Sequence, residues 1–132
     1  MHNLDFAYID PPYNQHPYGS NYFMLNLIAN YQRPETVSQV SGIPTNWRRS
    51  GYNVRARSAV LLSQLLQDLD ARFILLSFNN EGFIPPDEMM DLLQQYGTVE
   101  RYNIPYTAFR GSRSFRDRSV HVTEQLFLLE KK

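Results

Sequence analysis

Residues 4–13 read LDFAYIDPPY, an apolar and aromatic run that ends in a carboxylate, two prolines and a tyrosine. The apolar part, Leu4–Ile9, predicts a buried β-strand, and the prolines are expected to end it because they cannot donate to a neighbouring strand. Asp10 and Tyr13 then follow the carboxyl end of the strand. Ligands bind at this edge in open α/β sheets, so the sequence predicts a functional site here.

The rest of the chain alternates predicted helices and strands. They are a helix at 21–31, a helix at 56–69 with Val60, Leu61, Leu65 and Leu69 on its apolar face, a buried strand at 73–77, a helix between 85 and 97, and strands at 98–104 and 122–129. We therefore expect an α/β fold with a partial doubly wound, Rossmann-like sheet, mostly parallel and ending in a C-terminal antiparallel hairpin.

The composition limits the classes of protein that this chain can represent. Its 132 residues predict a single domain over 1–132, with a long loop at about 32–55 that is rich in proline, glycine and small polar residues. The absence of cysteine excludes disulfides, a thiolate nucleophile and Cys-ligated zinc. With neither a basic leader nor a long apolar run, we expect a cytoplasmic protein without a membrane partner. His16 and His121 lack partners at metal spacing, so no metal is expected.

The net charge is zero, but the positive charges are clustered. Eleven of the 13 basic residues are arginines, grouped as Arg48, Arg49, Arg55 and Arg57, and as Arg110, Arg113, Arg116 and Arg118. Such clusters fit either a solvated face or contacts with phosphate, whose oxygens the guanidinium group binds in pairs. The candidates for phosphate contact are Arg48, Arg49, Arg113 and Arg116.

The prolines make the predicted site rigid. Two fixed φ angles in succession hold the Asp10 carboxylate and the next backbone carbonyl in one arrangement. Two fixed acceptors beside the Tyr13 ring suit a flat substrate that carries an NH₂ group. The alternative interpretation is a strand-ending turn with a surface tyrosine.

The tetrad Asp10-Pro11-Pro12-Tyr13 resembles the DPPY motif of amino-methyltransferases. Flanking segments resemble the D12 class of adenine-specific DNA methyltransferases, namely YIDPPYNQ at 8–15, YGSNY at 18–22, LN at 25–26, LLSFNNEG at 75–82 and EQLFLL at 124–129. The resemblance covers most of the chain. It implies site-specific methylation of the N6 amino group of adenine in DNA, as in restriction-modification systems, with S-adenosylmethionine as methyl donor.

The resemblance also implies roles for individual residues. Asp10 and the Pro11 carbonyl would accept the two N6 protons, so that the nitrogen lone pair turns toward the sulfonium methyl group, and Asp10 would border the donor. The adenine must leave the duplex to be reached, and Tyr13 would stack on it. The catalytic residues implied are Asp10, Pro11, Pro12 and Tyr13, with Tyr18, Tyr22 and Phe78 as further candidates for base contact.

Two alternatives remain open for these residues. Ser77-Phe78-Asn79 also fits an ordinary strand end with a polar cap.

The atom that is methylated is the other open point. A chain without cysteine cannot supply the covalent thiolate of cytosine C5 methylation, which leaves an exocyclic amine as the target. Adenine N6 is favoured over cytosine N4 by the resemblance alone.

The sequence departs from the family pattern at the donor site. The family binds the methionine part of the donor with a Phe-x-Gly-x-Gly turn well before the tetrad, whereas nine residues precede Asp10 here and no Gly-x-Gly occurs. We therefore expect an incomplete site in the C-terminal half of a catalytic domain. The alternative is a non-catalytic truncated remnant or DNA-binding module. Leu4–Ile9, apolar on both faces, is expected to leave one edge free for an N-terminal half or for self-association.

Overall fold

The computed structural model describes residues 3–15, 22–31, 35–40, 45, 50–107 and 121–132. Its elements are β1 (Leu4–Ile9), α1 (Phe23–Asn30), a 3₁₀ turn (Gly51–Asn53), α2 (Arg55–Asp68), β2 (Ala71–Asn79), α3 (Pro86–Gln94), β3 (Gly97–Thr107) and β4 (His121–Lys131). This order confirms the predicted α/β alternation. None of the helices in the described part of the chain is long and apolar enough to cross a membrane.

The described strands form one sheet in the order β1-β2-β4-β3. β1 and β2 are parallel, with Ile9 opposite Leu76, and β4 is antiparallel to both of its neighbours. The β3–β4 hairpin was predicted, but a mostly parallel sheet is not confirmed, because β4 turns back from β3 and inserts beside β2. β1, β2 and β3 all point the same way, so their carboxyl ends meet at one edge.

Helices α2 and α3 cover one face of this sheet, which we call the packed face. Its core contains Leu62 and Leu66 from α2, Met89 and Leu93 from α3, and Ile74, Leu76, Phe127 and Leu129 from the strands. The predicted apolar face of α2 is wrong in part, since Val60 and Leu65 are exposed, whereas Leu69 packs against the core. Leucines stand in adjacent pairs along this helix, so helical spacing alone fits either of two overlapping stripes.

The other side of the sheet, which we call the open face, has no described helix on it. β1 was predicted to be buried, but Phe6 and Tyr8 are exposed on this side, whereas Ala7 and Ile9 pack against the core. The reason is that β1 lies at the sheet edge and is covered on one face only. Helix α1 was predicted to be amphipathic, yet none of its residues is buried. Of the predicted loop at 32–55, residues 32–34, 41–44 and 46–49 lie outside the described residues, and its last residues form the 3₁₀ turn and the start of α2.

Candidate active site

The predicted tetrad lies at the edge of the sheet where the parallel strands end. β1 stops at Ile9, directly opposite Leu76 of β2, and Asp10 follows. The Pro11 side chain is buried, whereas Asp10 is exposed. Within the described residues the Asp10 carboxylate makes no hydrogen bond or ion pair. The buried proline therefore anchors the turn and leaves the carboxylate available to a ligand.

Two other segments of the chain hold the residues that follow the prolines. The Tyr13 carbonyl accepts a hydrogen bond from the Phe83 backbone N–H at 2.8 Å. The Asn14 carbonyl accepts one from the Asn53 side-chain amide, also at 2.8 Å. The loop is thus fixed both by the turn after β2 and by the start of α2.

Asn53 is a site residue that the sequence analysis missed. Its side chain is 5% exposed, and its Oδ1 accepts a hydrogen bond from the Ser50 N–H at 3.2 Å. The Ser50 hydroxyl in turn accepts from the Tyr52 N–H at 3.3 Å, which completes a capping box on the 3₁₀ turn. The Ser-x-x-Asn spacing was the available signal, because such pairs cap helix starts. Nothing local in the sequence indicates the contact with Asn14.

The Tyr13 ring stands on Phe78. Their centroids are 6.0 Å apart with an interplanar angle of 67°, an edge-to-face contact. Phe78 is 3% exposed, and the chain turns closely over it at Gly82, where an added Cβ would clash with the Phe78 ring. The structure brings Phe78 to Tyr13 as its packing partner, which fixes the tyrosine at the rim of the site.

Polar groups at the end of β2 stabilise the adjoining turn. The Ser77 hydroxyl donates to a carboxylate oxygen of Glu124 on β4. Asn79 accepts the Glu81 N–H on Oδ1 at 2.7 Å and the Gly82 N–H on its carbonyl at 2.9 Å. These bonds favour the polar-cap interpretation of this segment, which positions Phe78 beneath the tyrosine.

Of the remaining predicted residues, one lies within the described part of the chain. Tyr22 is 51% exposed just before α1, where its carbonyl accepts from the Asn26 N–H at 3.0 Å. Tyr18, Arg48, Arg49, Arg113 and Arg116 lie outside the described residues.

One arginine of the first cluster does reach the loop. The Arg55 guanidinium lies 5.1 Å from the centroid of the Phe83 ring, whose backbone binds Tyr13. The second cluster falls between Thr107 and His121, which are paired beyond the end of β2 at the same edge as Asp10. Within the described residues, Arg55 thus places a positive charge beside the loop that follows the tetrad.

Titratable groups elsewhere around α2 have structural roles. The Tyr52 hydroxyl donates to the Leu61 carbonyl at 3.2 Å, and burial raises the pKa of this phenol.

Across the described residues, no group of three or more His, Asp or Glu side chains is arranged to hold a metal ion.

Taken together, the tetrad presents an exposed carboxylate, a proline backbone and a supported aromatic ring on a loop held by two other segments. Such a site can accept hydrogen bonds from a planar amine whose ring lies against the tyrosine. The rigidity of the loop matters because acceptors stabilise developing charge best when they need not reorganise.

Comparison with known proteins agrees with this chemistry. Residues 2–92 match the family model described as D12 class N6 adenine-specific DNA methyltransferase. The chain is 30% identical over 133 residues to the modification methylase StsI of Streptococcus sanguinis, covering 97% of this chain and 20% of that protein. It is 32% identical over 129 residues to the type II methyltransferase M.NlaIII of Neisseria lactamica, covering 96% and 38%.

A third relative, the type II methyltransferase M.FokI of Planomicrobium okeanokoites, is 31% identical over 130 residues, covering 96% of this chain and 20% of that protein. The chain thus spans between 20% and 38% of the length of these three relatives. No solved structure gives a significant match. The family model covers well over half of the chain, including the whole tetrad, and the chain therefore belongs to the D12 class of N6 adenine-specific DNA methyltransferases.

Proposed function

We propose that this chain is the catalytic, base-binding half of an enzyme that methylates the N6 amino group of adenine in DNA. The observation that carries the proposal is the rigid tetrad at the carboxyl edge of the sheet, with the Asp10 carboxylate exposed and the following loop held by Phe83 and Asn53. The names of the relatives, modification methylases and type II methyltransferases, support the same reaction class.

The residues of this chain would act on the base. The adenine amine is a poor nucleophile because its lone pair is delocalised into the ring. Hydrogen bonds from N6 to the Asp10 carboxylate and the Pro11 carbonyl would favour the pyramidal nitrogen and steady its developing positive charge. Tyr13, held by Phe78, would stack on the base once it has left the duplex.

S-adenosylmethionine would supply the electrophilic methyl group. The described residues fit only one wall of its site, since Asp10 follows β1 and the outer edge of β1 has no described neighbour. We therefore expect the chain alone to bind S-adenosylmethionine more weakly than micromolar. Titration calorimetry checks this expectation, and a micromolar dissociation constant for the chain alone would show that the donor site is complete.

The arginines would hold the DNA backbone. Arg55 lies beside the tetrad loop, and the strands that flank the second cluster end at the same edge of the sheet. We propose that Arg48, Arg49, Arg113 and Arg116 contact phosphates there, which would bring the target base to Tyr13.

The outer edge of β1 would receive another strand. Leu4–Ile9 contains neither lysine nor proline, the residues that commonly protect an exposed edge. We propose that this edge pairs with a complementary N-terminal half, or with a second copy, and that the completed sheet is doubly wound and Rossmann-like.

The test is reconstitution with the portion of the Neisseria lactamica methyltransferase that lies outside the matched region. This chain and that portion are mixed with duplex DNA and labelled S-adenosylmethionine, and methyl incorporation is measured. We expect incorporation with the mixture and none with either component alone. DNA binding without incorporation, in a mixture shown to form a complex, would instead support the DNA-binding module.

A further inference from the structure

We propose that the side-chain amide of Asn53 is a positioning group for methyl transfer, in addition to its part in the capping box of the 3₁₀ turn. It acts through the Asn14 carbonyl, by fixing where the tetrad loop ends, and not by contact with the base. The inference deepens the proposed function and rests on it. It makes the rate of the reaction depend on the donor end of one amide.

The tetrad loop is held at two consecutive backbone carbonyls after the prolines. The Tyr13 carbonyl accepts from the Phe83 N–H at 2.8 Å. The Asn14 carbonyl accepts from the Asn53 side chain, also at 2.8 Å. Phe83 in turn lies against the Arg55 guanidinium, 5.1 Å from its ring centroid. The turn before α2 therefore reaches both carbonyls, one directly through Asn53 and the other through the Phe83 contact.

The choice of an amide at position 53 is explained by this bridge. The cap requires only an acceptor for the Ser50 N–H, which Asn53 Oδ1 supplies at 3.2 Å. A carboxylate would serve equally well there, but it has no proton to give to the Asn14 carbonyl. The Asn53 side chain is 5% exposed, so the bond is shielded from competing water. The donor end of the amide therefore serves the tetrad loop and not the cap.

The catalytic carboxylate depends on this support because it has little of its own. Asp10 is exposed and makes no hydrogen bond within the described residues, so the backbone on either side of it sets its position. One side is fixed where Ile9 pairs with β2, and the other is fixed at the two carbonyls. A displacement of about 1 Å at a reacting group can cost about 10²-fold in rate. Release of the Asn14 carbonyl should therefore slow the reaction.

Steady-state kinetics of the reconstituted enzyme separate positioning from capping. Asn53→Ala removes both bonds, whereas Ser50→Ala removes only the hydroxyl that caps the Tyr52 N–H and keeps both bonds of Asn53. For Asn53→Ala we expect kcat to fall at least tenfold with KM for DNA within twofold of wild type. For Ser50→Ala we expect both constants within twofold. An equal fall of kcat in the two variants would overturn the proposal, and so would a change confined to KM.

A third variant keeps the cap and removes the donor. Asn53→Asp retains an oxygen for the Ser50 N–H but presents a second oxygen, not an N–H, to the Asn14 carbonyl. We expect kcat at least as low as in Asn53→Ala, with circular dichroism showing that each variant is folded at the assay temperature. A wild-type kcat in Asn53→Asp would show that the cap alone suffices and would overturn the proposal.

Amide exchange of the chain alone tests the same link without methyl transfer. We expect the Phe83 N–H, which holds the Tyr13 carbonyl, to exchange at least threefold faster in Asn53→Ala than in wild type. In Ser50→Ala its exchange should be unchanged. If the wild-type mixture forms a complex but transfers no methyl group, this exchange pattern would reject the proposed function alone. Unchanged exchange of Phe83 in Asn53→Ala would overturn the role of Asn53.

Discussion

The packed face and the open face of the sheet are built from the same strands and differ in what lies on them. Ile74, Leu76 and Phe127 are fully buried under α2 and α3, while Phe6 and Tyr8 on the opposite side remain more than half exposed. The open face also carries the carboxylates of Glu100, Glu124 and Glu130 among its apolar side chains. The difference teaches that the stability of this chain comes from one face, and that the other is available for binding.

The largest expected effect compares a residue on each face. Phe127→Ala should lower the free energy of unfolding by about 3–5 kcal/mol, because it leaves a cavity in the core. Tyr8→Ala should change it by about 0.5 kcal/mol or less, because the side chain is mostly in solvent and packs on little. Urea denaturation of the isolated chain measures both. Similar losses of stability for the two variants would show that the open face is already covered.

Asp10→Ala should separate activity from stability. In the reconstituted enzyme we expect the methylation rate to fall about 10²- to 10³-fold, since a positioned acceptor is removed. The free energy of unfolding should hardly change, because the carboxylate is exposed. Asp5→Ala, which removes another exposed carboxylate from the same strand region, is the control and should keep the rate. Near-normal turnover of Asp10→Ala would make the tetrad a structural turn.

Asn53→Ala should have an intermediate effect at the boundary between the packed core and the site. It removes the hydrogen bonds that the Asn53 side chain makes with the Ser50 N–H and the Asn14 carbonyl, at a cost of about 1–3 kcal/mol. Gln64→Ala on the exposed side of α2 should cost far less. Amide exchange should show the loosening first at Ser50. A destabilisation no larger than that of Gln64→Ala would mean that the loop is held without this side chain.

The outline of this fold could be predicted from the sequence, because strand and helix periodicities and the prolines at 11–12 and 85–86 are local signals. The position of the tetrad followed for the same reason. The buried stripe of α2 could not be predicted, since its paired leucines fit two faces and only the sheet decides between them. The role of Asn53 depends on its hydrogen bond to the Asn14 carbonyl, 39 residues away in the sequence, which no local pattern indicates.

The exposure of β1 could not be predicted from the sequence either. Its apolar residues on both faces predict burial, and whether a second layer covers them depends on polypeptide outside the described elements. Likewise, the residue patterns of β3 and β4 predict a hairpin, but they do not specify that β4 lies between β2 and β3. That position depends on tertiary packing.

The smallest expected effect concerns DNA. Affinity should fall steeply with salt, and Arg55→Glu should reduce the slope of log affinity against log salt by about one, because one phosphate is no longer neutralised. The same is expected for charge reversal at Arg48, Arg49, Arg113 or Arg116. Arg72→Glu, at the opposite end of β2 from the site, is the control and should leave the slope unchanged. Equal slopes for all variants would assign these arginines to a solvated surface.

The most direct test of the central claim is the identity of the methylated nucleoside. DNA incubated with S-adenosylmethionine and the reconstituted enzyme is digested to nucleosides and analysed by mass spectrometry. We expect N6-methyladenine, and we expect it to be absent when the chain carries Asp10→Ala. Methylated cytosine, or N6-methyladenine that persists in the Asp10→Ala enzyme, would contradict the assignment of this tetrad as the adenine-methylating site.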